Sequence, residues 1–214
     1  MPQVEYDGEI VVVDSPDAAC KALSELSKAS IVGFDTETRP SFQKGKRHNV
    51  ALVQISSGAT TYLFRVNRLG FLPEMKEFME NQSILKIGLS LKDDFNMLHR
   101  SDDFTPGGFI DLQAFVRQYS IVDASLQRIY AIIFGGRISK GQRLSNWEAS
   151  ELTSAQQKYA AIDAWACLRI YNYLLAGKFD PEQSPYRLLP EANPKTNPET
   201  KPGVNPRSNS ETNP

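Results

Sequence analysis

"IVGFDTET", Ile31 to Thr38, is a strand-like apolar run that finishes with two acids two positions apart, Asp35 and Glu37. Side chains of an extended chain alternate between faces. Ile31, Gly33, Asp35 and Glu37 therefore share one side, and Val32, Phe34 and Thr36 the other. Two like charges on one side of a buried strand need a physical reason, and that need organises the rest of the chain.

Outward from this strand the pattern alternates. "EIVVVD" before it reads as a strand, followed by Ser15-Pro16, a helix cap with proline at the first helical position, and by the helical spacing of "DAACKALSELSKA". After it come the strands "VALVQISS" and "TTYLFRV", with Ser57-Gly58 as the turn between them. "PEMKEFMEN" reads as helix, "ILKIGLS" as strand and "LKDDFNMLHR" as helix; beyond "GGFIDL", "QAFVRQYS" and "LQRIYAIIFG" are helical. Thr153 and Gln156 form a T-x-x-Q capping box ahead of a long helix that runs to about Ala176. Three successive strands followed by strands alternating with helices predict the α/β class, a mixed sheet with an antiparallel three-stranded start and helices on its faces. The folded domain is expected over 9–189. From Pro190 the sequence repeats Asn-Pro and has one aliphatic side chain beyond alanine, Val204, so 190–214 reads as a disordered tail.

The 214 residues are 41% hydrophobic and 23% charged, with net charge −1, which predicts a globular protein without the global basic field of a charge-driven polyanion binder. Cys20 and Cys167 both lie in apolar helical patterns, outside any C-x-x-C pair, and read as buried free thiols of a reducing compartment. No signal-peptide pattern opens the sequence and no apolar run reaches membrane-spanning length, so a cytoplasmic location without membrane contact is expected.

Two further acids lack an obvious solvent-facing role. Asp163 is the sole charge between Lys158 and Arg169, among Ala160, Ala161, Ile162, Ala164, Trp165 and Leu168. A carboxylate in so apolar a helix must be paired with a base, protonated or bound to metal. Tyr159, four residues earlier, shares its face. In "LKDDFNMLHR", Asp94 falls with Leu91, Phe95 and Leu98 on the core-facing stripe, whereas Asp93 falls with Asn96, Met97 and Arg100 on a more solvated one. Asp35, Glu37, Asp94 and Asp163 are thus all predicted to turn from bulk solvent. At an effective dielectric near 20, one pair ~4 Å apart repels by about 4 kcal/mol. Oxygen-only donors suit hard divalent cations, Mg²⁺ or Mn²⁺, better than zinc. Phosphate-loop, dinucleotide and nucleophile-elbow signatures are missing, and His48 and His99 form no H-E-x-x-H pair.

With these residues in place, the chain resembles the DEDDy 3′–5′ exonucleases of the ribonuclease-H-like superfamily, nearest to the Werner-type exonuclease domain and more distantly to ribonuclease D. "GFDTET", "KIGLSLKDDFNML" and "YAAIDAWA" carry the likeness in the family's order, and "VALVQIS" and "FIDLQ" extend it. The resemblance implies a 3′–5′ exonuclease that hydrolyses phosphodiester bonds of DNA or RNA and releases nucleoside 5′-monophosphates with two divalent cations, Mg²⁺ or Mn²⁺. It implies that Asp35, Glu37 and Asp163 hold the ion that activates water, that Asp35 bridges to a second ion with Asp94 on that side, and that Tyr159 orients the water. A catalytically inactive nucleic-acid- or protein-binding module of the same fold is the alternative.

Cations for a nucleic-acid partner are few. Lys44, Lys46 and Arg47 in "QKGKRHN" form one candidate phosphate-steering group, and Lys140 and Arg143 in "SKGQRLSNW" a second, against the reading of solvated loops. Trp147 reads as a structural residue or as a platform for a base.

Overall fold

The computed structural model describes residues 1–43, 45 and 47–185; Lys44, Lys46 and the segment from 186 on, including the tail expected at 190–214, lie outside the described residues. Six strands make one mixed sheet: β1 (Glu9–Val13), β2 (Ile31–Thr38), β3 (Val50–Ser56), β4 (Thr60–Phe64), β5 (Leu85–Gly88) and β6 (Phe109–Asp111). Their spatial order is β1-β4-β3-β2-β5-β6. β2, β3 and β4 form the antiparallel start, while β5 joins β2 and β6 joins β5 in parallel. β1 closes the far edge in parallel register with β4. Parallel neighbours need crossovers, and helices supply them.

On one face lie α1 (Pro16–Leu26), the single turn α2 (Val66–Leu69), α3 (Pro73–Glu80) and α4 (Leu91–Leu98), covering Val13, Val32, Phe34, Val53, Ile55 and Phe64. Ser15 caps α1 with Pro16 in its first turn. Cys20 is exposed, which corrects the expectation of two buried thiols: the buried stripe of α1 is Ala19, Ala22, Leu23 and Leu26, and position 20 points away from it. Cys167 is buried and free.

The opposite face is covered mainly by one long helix. α5 (Leu112–Phe115) with the 3₁₀ turn Val116–Tyr119, and α6 (Leu126–Phe134), pack beside α7 (Ser154–Leu175), and a 3₁₀ turn follows at Pro181–Gln183. The Thr153 side chain accepts from the Gln156 N–H while Gln156 reaches back to the Thr153 N–H, the reciprocal cap expected there. α7 lies across β1 to β5. It can sit so close because it turns alanines toward the sheet and because β2 carries Gly33 beneath it. A Cβ on Gly33 would fall 1.9 Å from the Ala164 carbonyl oxygen. The packing also reaches back before β1, where Val4 and Tyr6 are buried against the α6–α7 layer. Among the described residues no helix is long and apolar enough to cross a membrane.

Candidate active site

β2 and α7 meet where their acids lie. Pleating puts Asp35 and Glu37 on the α7 side with Gly33, and Asp163 follows Ile162 on the buried stripe of the helix. One carboxylate oxygen from each of Asp35, Glu37 and Asp163 lies within 4.8 Å of the other two. Glu37 is 8% exposed and Asp163 5%. Among the described residues none of these acids has an ion-pair partner within 4 Å, and Asp163 Oδ1 has no hydrogen-bond partner at all. Among the described residues, then, no base neutralises Asp163.

The electrostatics follow from that crowding. Burial first, then the charges of Asp163, Asp94 and Glu37, holds Asp35 well above the usual carboxylate range. Glu37 is pushed up to about 9 by burial and by Asp163 and Asp94, with Arg143 opposing. Burial lifts Asp163 to about 7 against the hydrogen bond from the Tyr159 hydroxyl. Tyr159 is itself raised, by burial and then by Asp163, Glu37 and Asp35, so it stays a neutral hydroxyl. Three converging carboxylates that disfavour their own ionisation, with no ion-pair partner within 4 Å among the described residues, are a donor set for a hard divalent cation.

Asp94 stands beside this cluster and outside it. Its Oδ1 accepts from the Thr36 hydroxyl, the residue of β2 that points to the opposite face from Asp35 and Glu37. Burial raises Asp94 to about 6 against that hydrogen bond. Asp93 is exposed, as the helical stripe predicted. The orientation of α4 is set by Asp111 at the end of β6, whose carboxylate accepts from the N–H groups of Ser90 at 3.1 Å and Leu91 at 3.0 Å. Ser90 takes a left-handed backbone, φ 60°, to enter the helix. Thr36, Asp111 and Gly33 escaped the sequence reading. Asp111 lay inside "FIDLQ" as a strand-ending acid, while nothing local distinguishes Thr36 from any strand threonine.

A cavity of 290 Å³ opens on Asp35 and Asp163, lined also by Ser90, Ser125, Leu126 and Gln127. Among the described residues the expected cations Arg47, Lys140 and Arg143 fall in two separate places. Arg47 lines a separate groove of 880 Å³ with His48, Arg100 and Glu148. Lys140 and Arg143 share one turn, the Arg143 N–H donating to the Lys140 carbonyl at 3.2 Å, and Arg143 is near enough for its charge to act on Glu37. Trp147 is fully buried, its ring 6.0 Å from that of Tyr159, so it supports the tyrosine and is closed to a stacking base.

The sequence pattern of a family described as 3′-5′ exonuclease matches residues 10–176. The mouse bifunctional 3′-5′ exonuclease/ATP-dependent helicase WRN is 34% identical over 186 residues, covering 81% of this chain and 13% of its own length. The chain thus spans about an eighth of that relative. In structure it is similar to the EXO domain of Aedes aegypti Nibbler, with TM-score 0.73, 23% identity and coverage of 84% of this chain and 96% of that one. It is also similar to Trypanosoma brucei RNase D in complex with RNA U12, with TM-score 0.71, 23% identity and coverage of 82% and 65%.

Proposed function

The chain belongs to the 3′-5′ exonuclease family, and from that premise we propose that it removes nucleotides from the 3′ end of DNA or RNA as nucleoside 5′-monophosphates, with two divalent cations, Mg²⁺ or Mn²⁺. The observation that carries this is the cluster of Asp35, Glu37 and Asp163, which has no ion-pair partner within 4 Å among the described residues. When bound, such ions supply an acidified water and neutralise charge on the leaving 3′ oxygen. Asp35, Glu37 and Asp163 would hold one ion, and Asp35 and Asp94 would serve the second. The unpartnered Asp163 Oδ1 is the most direct sign of fit, since a buried carboxylate oxygen without a donor is costly unless a cation satisfies it.

The chain's own groups divide the remaining work. Tyr159, kept protonated by burial, orients water through its hydroxyl and is no base at working pH. Thr36 fixes Asp94 and Asp111 fixes the start of α4, so neither acid needs to rearrange as substrate arrives. The cavity beside Asp35 and Asp163 receives the terminal nucleoside. Arg143, whose charge acts on Glu37, holds an incoming phosphate; Lys140 and Arg47 add to the attraction. RNA is one substrate class supported by the RNA-bound RNase D relative, and both nucleic acids remain in the proposal.

The test is a 5′-labelled oligonucleotide offered as single-stranded DNA, recessed duplex and RNA. Shortening from the 3′ end in Mg²⁺ or Mn²⁺, abolished by chelator and by Asp35→Ala, is expected. Full-length substrate under every metal would overturn the reading.

A further inference from the structure

β3 crosses beneath α7 with Leu52, Gln54 and Ser56 on the helix side, because each lies opposite a helix-facing residue of β2: Glu37, Asp35 and Gly33. The middle one is unexpected. Gln54 is fully buried, and neither its amide nitrogen nor its amide oxygen has a hydrogen-bond partner. Among the described residues, five have a buried side-chain nitrogen or oxygen left unpaired, and Gln54 is the one that leaves both a donor and an acceptor. A leucine would fill this place without that penalty, so the amide calls for a function.

Its surroundings narrow the choice of partner. Leu52 before it and Leu63 across from it on β4 are apolar. Ser56 and Thr61 satisfy each other at 2.8 Å, and Thr61 also donates to Tyr6 at 2.9 Å. The remaining polar neighbour in the ladder is Asp35, directly opposite in register. Cβ atoms of such pairs lie roughly 4.5–5.5 Å apart, within reach of a glutamine amide.

We propose that Gln54 is a positioning residue for Asp35: its amide N–H donates to the Asp35 carboxylate when that carboxylate holds divalent cations. The residue type suits the task. A lysine or arginine there would stabilise the carboxylate but repel the ions, and a serine would be too short. Glutamine offers a donor with no charge and no titration, so it supports the ligand without competing with the metal. The inference rests on the metal reading of the acidic cluster.

The test uses the full chain with Gln54→Leu and, as a second apolar replacement of different shape, Gln54→Met. Melting temperature is measured in chelator, and Mn²⁺ affinity by calorimetry. The expected result is a metal-free melting temperature equal to or above that of the parent, together with a Mn²⁺ dissociation constant raised about 10- to 100-fold. A residue that merely supported the fold would lower the melting temperature and leave Mn²⁺ affinity intact. A Mn²⁺ affinity within twofold of the parent, or failure of both variants to fold, overturns the proposal. A parent chain that binds no Mn²⁺ overturns the metal reading itself, which the Gln54 variants alone would not do.

Discussion

Replacing Glu37 by glutamine removes one charge from the cluster at almost constant shape, and its effect on stability should shrink when metal is present. Glu37 sits at about 9 in the folded chain against an ordinary value of 4.5, chiefly because of burial and then because of Asp163 and Asp94. A raised folded value means that the folded state keeps the proton longer than the unfolded one. Its contribution to stability is therefore full below about 4.5 and is lost as pH rises toward 9. At pH 7.5 the gap from the unfolded value is three pH units, at about 1.4 kcal/mol each, so the parent forfeits on the order of 4 kcal/mol. Glutamine forfeits none of this. In chelator at pH 7.5, Glu37→Gln should melt above the parent by roughly 8–16 °C for a chain of this size, and the two should converge near pH 4.5. Added Mn²⁺ at a hundred times its dissociation constant should stabilise the parent by about 2.7 kcal/mol and the variant far less. Scanning calorimetry across pH, with and without metal, reads all of this. A variant that melts below the parent in chelator at pH 7.5, or a difference of the same size at both pH values, would refute the reasoning.

Other perturbations address separate joints of the molecule. Gly33→Ala must push α7 from β2 by about 1.5 Å to relieve a 1.9 Å contact with the Ala164 carbonyl; this should cost about 3 kcal/mol and about 10²-fold in turnover of the folded protein, and urea unfolding with an unchanged midpoint would contradict it. Tyr159→Phe should lower kcat about 10- to 100-fold while the oligonucleotide dissociation constant stays within twofold, so an unchanged kcat removes the hydroxyl from the reaction. Lys86 is fully buried on β5, donates to the Phe78 and Asn81 carbonyls, and is pulled down to about 8 by burial. A lowered folded value for a lysine means that stability should rise between about pH 8 and 10.5, because the unfolded chain then binds the extra proton. Lys86→Met should lack that rise in urea titrations, and parallel pH profiles would count against it.

What could be read from the sequence was what local periodicity governs. The two-residue repeat of β2 put Asp35 and Glu37 on one side, and the helical repeat of α4 separated Asp94 from the exposed Asp93. The capping box at Thr153 fixed where α7 begins. What stayed hidden depends on partners remote in the chain. Nothing near Gly33 announces that Ala164 will lie against it, nothing near Gln54 announces Asp35 across the ladder, and the edge position of β1 beside β4 is a choice among sheet neighbours. Cys20 misled because an apolar helical stretch does not say which of its small residues lies on the stripe. Nothing near Asp94 in the sequence announces that the Thr36 hydroxyl of β2 will hold its carboxylate.

α7 bears Tyr159 and Asp163 one turn apart and is seated on Gly33 with no clearance. A single codon inserted between those two residues would swing everything beyond it by about 100°, and the flush seating leaves no room to rotate back. Length changes in related genes should therefore collect in the connections at 39–49 and 135–152, and this stretch of helix should behave as a fixed ruler, open to substitution at its outward positions but closed to insertion or deletion.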